Sequence, residues 1–302
     1  MVATKLYKNH VIEVGATTID SISNVDFAAN NERFKEILSG EIDPKFIATL
    51  NHNPTIGFTS MNIKAAIDEI PLIGNKIEAS NKFVTFFKRY AAGGTIMAGG
   101  SHVKMEVNSG IVVLRSLTAT QGSAAEITCE CQPVFDGTND PIIMTDAQVL
   151  SGTIADTEIW TLGPAVINGV TIETTEISFD FGISLFVEGS DGDAFPSFVS
   201  LNNRVPVITV KTMDLSRVAA LDIKGEGITT VSLFFRKMAA GGLRVPDASL
   251  VHIQLTLNDG QVNPDSATVS TNDKGEATII MEAINDGVND ILEIDTAAAI
   301  VA

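Results

Sequence analysis

Four histidines and two cysteines are the residues of this chain suited to act as a base, a nucleophile or a soft metal ligand. His102 and His252 hold matching places, each opening an alternating stretch (HVKMEV and HIQLTL). Each could supply a base or a metal ligand. Neither has a second His, a Cys or a carboxylate pair at ligand spacing, so both read as half-buried or interface histidines that complete strand packing. His10 and His52 have no counterparts and read as surface residues. Cys129 and Cys131 are one residue apart, hence on one face of a strand, where a disulfide between them would be strained. Two sulfurs without a nearby His make a poor zinc site, so they read as reduced thiols of a protein folded in the cytosol.

The acidic loop 188–193 (EGSDGD) could offer Glu188, Asp191 and Asp193 to calcium, but it lacks the EF-hand spacing and the closing bidentate glutamate. It reads as a solvated turn, as do the Asp-Gly-x-Asn-Asp stretches beginning at Asp136 and Asp286. No nucleophile elbow, phosphate loop or dinucleotide fingerprint is present. No Ser/His/Asp grouping recurs in both halves. No catalytic residue, cofactor-binding residue or metal ligand is therefore assigned, and the chain is expected not to be an enzyme.

The elements that would carry such residues are written twice. Residues 54–68 (PTIGFTSMNIKAAID) and 206–222 (PVITVKTMDLSRVAALD) share one grammar, with two residues added in the second. A proline opens an apolar/polar alternation, the period of a half-buried strand. An N-cap residue (Asn62; Asp214) then starts a short helical face: Ile63, Ala66 and Ile67, or Leu215, Val218 and Ala219. Around this unit, Val25-Asp26-Phe27 matches Phe179-Asp180-Phe181, and FVTFFKRY (83–90) matches VSLFFRKM (231–238). Ala-Ala-Gly-Gly follows each of these strands, so Gly93, Gly94, Gly241 and Gly242 are expected in turns or at close backbone contacts. The basic pairs Lys88-Arg89 and Arg236-Lys237 could serve nucleic acid, but acidic sister subunits suit them better. The expected fold is mainly β: two tandem β-sandwich or flattened-barrel domains of one topology, residues 1–150 and 151–302, each with one short α-helix.

Length and charge narrow the function. The chain has 302 residues, enough for one large or two medium domains with a real core. With 20 Lys+Arg against 37 Asp+Glu, the net charge of −17 repels nucleic acid and anionic membrane. No apolar run nears the roughly 20 residues of a membrane-spanning helix, and the start has no apolar signal region. A duplicated domain is a built-in pseudo-dimer, suited to a ring in which three chains present six nearly equivalent units.

The quoted repeats, with FFKRYAAGG and DGTNDP of the first half, resemble the tail tube (major tail) proteins of tailed bacteriophages. The resemblance is one of pattern and architecture over both halves. It implies a β-sandwich with a flanking helix whose inner sheets join those of neighbouring subunits into a β-lined ring. It also implies trimeric, pseudo-hexameric rings stacked into a tube within the virion tail, assembled in the host cytoplasm. Partners would be further copies, other virion tail proteins, and DNA in transient passage along an acidic lumen; no membrane or cofactor is expected. The alternative role is a capsid or decoration protein built on twinned β-domains. A tandem carbohydrate-binding module would need an exposed aromatic platform, whereas the single tryptophan, Trp160, falls at the join.

Overall fold

Alternation of apolar and polar residues dominates the chain, and it becomes strands. The computed structural model describes residues 6–37, 39, 42–91, 94–154, 158–190, 193–222, 224–228, 230–239, 241–269, 275–285 and 287–301. The protein is mainly β. The first set of elements is β1 (Leu6–Val14), β2 (Thr17–Ile19), β3 (Ile22–Ala28), β4 (Asn31–Glu36), β5 (Phe46–His52), β6 (Thr55–Ser60), α1 (Ile63–Glu69), β7 (Asn75–Ile77), β8 (Phe83–Tyr90), β9 (His102–Val107), β10 (Gly110–Thr120), β11 (Glu126–Pro133) and β12 (Ile143–Gln148). The second is β13 (Ile159–Ile167), β14 (Val170–Ile172), β15 (Glu176–Asp180), β16 (Ile183–Glu188), β17 (Phe198–Arg204), β18 (Val207–Thr212), α2 (Leu215–Ala220), β19 (Glu226–Ile228), β20 (Val231–Met238), β21 (His252–Leu257), β22 (Gly260–Thr268), β23 (Glu276–Ala283) and β24 (Leu292–Ala298).

Strand for strand, the pairing of the second set repeats that of the first. The outer sheet β12-β9-β8-β1-β2 recurs as β24-β21-β20-β13-β14, and hairpin β4–β5 recurs as β16–β17. The inner order β3-β6-β11-β10, with β7 on β10, recurs as β15-β18-β23-β22, with β19 on β22. The two inner sets do not stay separate. β10 pairs with β15 from Ser116↔Asp180 to Thr120↔Glu176, making one ten-stranded sheet. A single hydrophobic core accordingly draws on both sets.

Local chemistry explains the repeated unit. β6 and β18 show the same burial alternation, half-buried residues taking turns with buried ones. Asn62 accepts a hydrogen bond from the Ala65 N–H at 3.2 Å, and Asp214 accepts one from the Ser216 N–H at 3.0 Å. Both caps satisfy an orphan donor of the first helical turn. Strand and cap are in step, so the two added residues fall after the helix. Ile63, Ala66 and Ile67 are buried as expected, whereas in α2 Leu215 and Val218 are half-buried and Ala219 is exposed. Sheets close over one another through large side chains: Phe58 of β6 meets Phe83 of β8 with ring centroids 5.8 Å apart.

One sequence match is corrected. Val25-Asp26-Phe27 pairs with β6 through Phe58, Gly57 and Ile56, whereas Ile177-Ser178-Phe179 pairs with the equivalent Val210, Thr209 and Ile208. The true partner of Phe27 is Phe179, two residues from the motif match. An even slip leaves every side chain on its own face, so alternation cannot reveal it.

A sheet shared by both sets should unfold as one unit. Denaturant unfolding is expected to give a single transition. Phe179→Ala, which empties a fully buried site beside Phe181 (centroids 4.8 Å apart), should cost about 3–5 kcal/mol without splitting that transition. Two separate transitions would show that the shared sheet does not couple the sets.

Candidate assembly surface

The seam between β10 and β15 is built from both backbones. The Phe181 N–H donates to the Arg115 carbonyl (3.0 Å), the Gln121 N–H to the Thr175 carbonyl (2.8 Å), and the Ala125 N–H to the Trp160 carbonyl (2.8 Å). Arg115, at a bulge in β10, donates to the Ile183 carbonyl and pairs with Glu130 at 2.6 Å. Around the rim, the loop after β16 lies on the first set. There the His52 N–H donates to the Ala194 carbonyl (2.9 Å) and the Phe135 N–H to the Pro196 carbonyl (2.7 Å). Helix α1 reaches the far sheet, where the Lys64 ammonium donates to the Thr296 hydroxyl (3.1 Å).

The same two surfaces recur, unpaired, at opposite ends of the chain. β3, the counterpart of β15, is the last strand of the ten-stranded sheet. β22, the counterpart of β10, is paired with β23 along one side; on its other side it carries β19 only along Gly260–Val262, and among the described residues no strand lies on that side of Ser266–Thr268. Side chains follow the backbone. Phe179 is fully buried but its equivalent Phe27 is 50% exposed; Ala119 is 1% exposed but its equivalent Val269 is 69% exposed. Trp160 is fully buried and its equivalent Tyr7 is 37% exposed. In each pair the buried member lies at the closed seam and the exposed member at an open end.

The face of this sheet turned from the core is small, hydroxyl-rich and acidic. Thr118, Ser178 and Thr209 stand side by side across three strands, and Thr59 and Thr128 across two more. Outside the short strands β7 and β19, the outward positions carry Asp26, Glu126, Glu130, Glu176, Asp180, Asp265, Glu276 and Glu282. The cations there are Arg115 and Lys211, tied to Glu130 and Glu176. The sheet therefore presents net negative charge.

The residues singled out for chemistry are placed elsewhere, and apart. His102 and His252 are buried, and each Nδ1 accepts a backbone N–H at 3.0 Å, from Arg89 and Lys237 respectively. Those bonds put the ring proton on Nε2, which in His252 donates to the Pro246 carbonyl at 3.0 Å. Each ring ties together the two outer strands that flank a loop, and His252 also holds that loop at Pro246. His10 is buried, against the surface expectation: residues 151 and 152 pass over it, because the connection to β13 crosses the outer sheet there. Burial, with the nearby Lys88 ammonium, holds its pKa below the ordinary histidine value. His52 is half-buried and stacks on Phe195, a seam role that its isolated position in the sequence gave no sign of.

Cys129 and Cys131 point into the core from β11, and burial pushes both thiols far above their usual range. Arg236 bonds Asp247 through two nitrogens (2.8 and 3.0 Å), and Lys237 pairs with Glu158 beside Trp160. These two basic residues find carboxylates within the chain. Asp136 accepts the Thr138 and Asn139 N–H groups, the local capping expected of that turn. Asp191 and Asp286 lie outside the described residues, among which no group of three or more His, Cys, Asp or Glu is placed to hold a metal. Gly94, Gly241 and Gly242 turn the chain at φ of +82°, +92° and +81°; Gly93 lies outside the described residues.

No known protein-family model matches the chain, and no curated protein matches it.

Two measurements check these placements. Neither cysteine should react with a thiol reagent until the chain is unfolded, since the nucleophile is the thiolate. His252→Phe should leave the Lys237 N–H without its acceptor and lower stability by about 1–3 kcal/mol in denaturant titration. An unchanged midpoint would show that the ring nitrogen carries nothing.

Proposed function

We propose that this chain is a structural virion protein whose copies join edge to edge into rings of three, and that the rings stack into a phage tail tube with an acidic lumen for DNA. One observation carries the reading: the seam closed inside the chain has both of its surfaces repeated, open, at the chain's two ends. A contact of that kind is heterologous, so repeating it closes a ring when the rotation allows. Open β edges are a liability that natural proteins pair or cover. Joining β22 of one copy to β3 of the next pairs both edges and covers Phe27, Val269 and Tyr7 together. The sheet becomes continuous around the ring, as the tail-tube resemblance implies. The count of three chains comes from that resemblance.

The outward face supports the lumen assignment. Hydroxyls offer DNA weak, exchangeable contacts, and the carboxylates repel its phosphates over a Debye length of about 8 Å at physiological salt. Other virion tail proteins would meet the end rings, and no membrane is involved.

Negative-stain microscopy of concentrated protein is expected to reveal uniform tubes, with rings of three chains by mass. Closed shells would decide for a capsid or decoration role, and a monodisperse monomer by light scattering would remove the ring reading altogether. Phe27→Lys or Val269→Lys should leave the far-UV spectrum and melting temperature near wild type while shifting the chain to monomers. Assembly that survives both changes would put the open seam elsewhere.

A further inference from the structure

The open seam is not a plain copy of the closed one, and the difference has the form of a charge pair. At the closed seam, the ring of His52 lies over the ring of Phe195, centroids 5.1 Å apart and tilted by 32°. The flanking backbone bonds, from His52 N–H to Ala194 O and from Phe135 N–H to Pro196 O, fix which residues face each other.

Equivalents at the open seam follow without gaps. The hairpins β4–β5 and β16–β17 have strands of equal length and loops of equal length, 37–45 and 189–197. Both loops close on the same bond, from Lys45 N–H to Glu36 O at 3.1 Å and from Ser197 N–H to Glu188 O at 3.0 Å. Ile42, Asp43 and Pro44 therefore stand where Ala194, Phe195 and Pro196 do. On the receiving rim, Arg204 ends β17 where His52 ends β5. Asn285 stands where Phe135 does, in register through Ile284 N–H to Asp259 O and Val134 N–H to Ser109 O. The aromatic pair His52 and Phe195 is thus replaced at both positions at once, by Arg204 and Asp43.

We infer that when two copies join, Arg204 of one is received by Asp43 of the next, an intermolecular ion pair standing where the intramolecular seam has a ring stack. This rests on the proposed edge-to-edge assembly and adds its specificity determinant. Both partners are free to meet. Asp43 is exposed beside Ile42, which is 92% exposed at the loop tip. Arg204 is half-buried, with Asp290 the carboxylate acting on it at a distance and none within ion-pair reach among the described residues. Joining buries the guanidinium further, so a carboxylate opposite it is needed to offset lost hydration. The chemistry also gives direction. The seam inside the chain is aromatic and the seam between chains is charged, so the loop of one set placed on the wrong rim would set Asp43 against His52, or Phe195 against a bare Arg204. Mismatched pairs of that kind select partners more strongly than they add affinity.

Charge reversal tests this in the full chain, by sedimentation velocity at low and physiological salt with far-UV spectra confirming the fold. Arg204→Asp and Asp43→Arg should each lower apparent ring association by roughly tenfold or more at low salt, because each sets like charges face to face. The double variant should return to within about threefold of wild type. Single variants that assemble as well as wild type, or a double variant that stays as weak as the singles, would overturn the pair while leaving the ring reading intact. Should the wild-type chain itself never assemble, the ring reading fails and the pair fails with it. Arg204→Gln, which removes charge without reversing it, should fall between wild type and Arg204→Asp; a loss as large as that of the reversal would mean that packing, not charge, is at work.

Discussion

A β-strand with one side unpaired presents a row of N–H and C=O groups that need partners, and this chain answers that need once within itself. The β10–β15 pairing is short, five residues on each side, yet both inner sheets depend on it to become one. With it come the burial of Phe179 and Trp160, the seating of the second hairpin on the first set, and the contact of α1 with the far outer sheet. Backbone pairing sets the register, and side chains supply the area removed from water. Neither half keeps its own core boundary once the seam has formed.

The two ends of the sheet show what the seam costs a chain that must first exist alone. Where the contact is internal and permanent, the residues are apolar and buried: tryptophan at 160, phenylalanine at 179, alanine packed tight at 119. At the free ends, tyrosine replaces tryptophan, threonine and serine carry much of the edge, and Phe27 and Val269 stand exposed among them. The hydroxyl-bearing side chains tolerate water in the single chain and lose little when covered. Exposed apolar groups of that kind, clustered along an edge rather than scattered, are the mark of a contact surface.

Much of this architecture was legible in the residues. Alternation gave the β class, and both strand–cap–helix units stood where the proline and the N-cap residue put them, since those signals act within a few residues. What alternation cannot convey is which edge meets which, because it reports the face of a strand and says nothing of its neighbour. The β10–β15 seam was therefore invisible, as was the two-residue slip at Val25–Phe27. β4 was missed for another reason: all six of its residues are exposed, so its sequence carries no burial period. His10 read as a surface residue because its burial comes from residues 151 and 152, far along the chain. The paired cysteines were legible as a same-face pair, their spacing being purely local.

Trp160 is the only tryptophan in the chain, and its carbonyl receives the N–H of Ala125 from across the seam. Its indole is packed where the two sets meet, beside Lys237. The molecule thus contains a native optical probe at the one joint that is intramolecular. Intrinsic emission excited at the tryptophan band follows the integrity of that joint alone, while tyrosine signal comes from Tyr7 and from Tyr90 on the adjoining strand, in the outer sheet that bears the free surface. Opening of the inner contact and occupation of the outer one can then be told apart in the unlabelled protein.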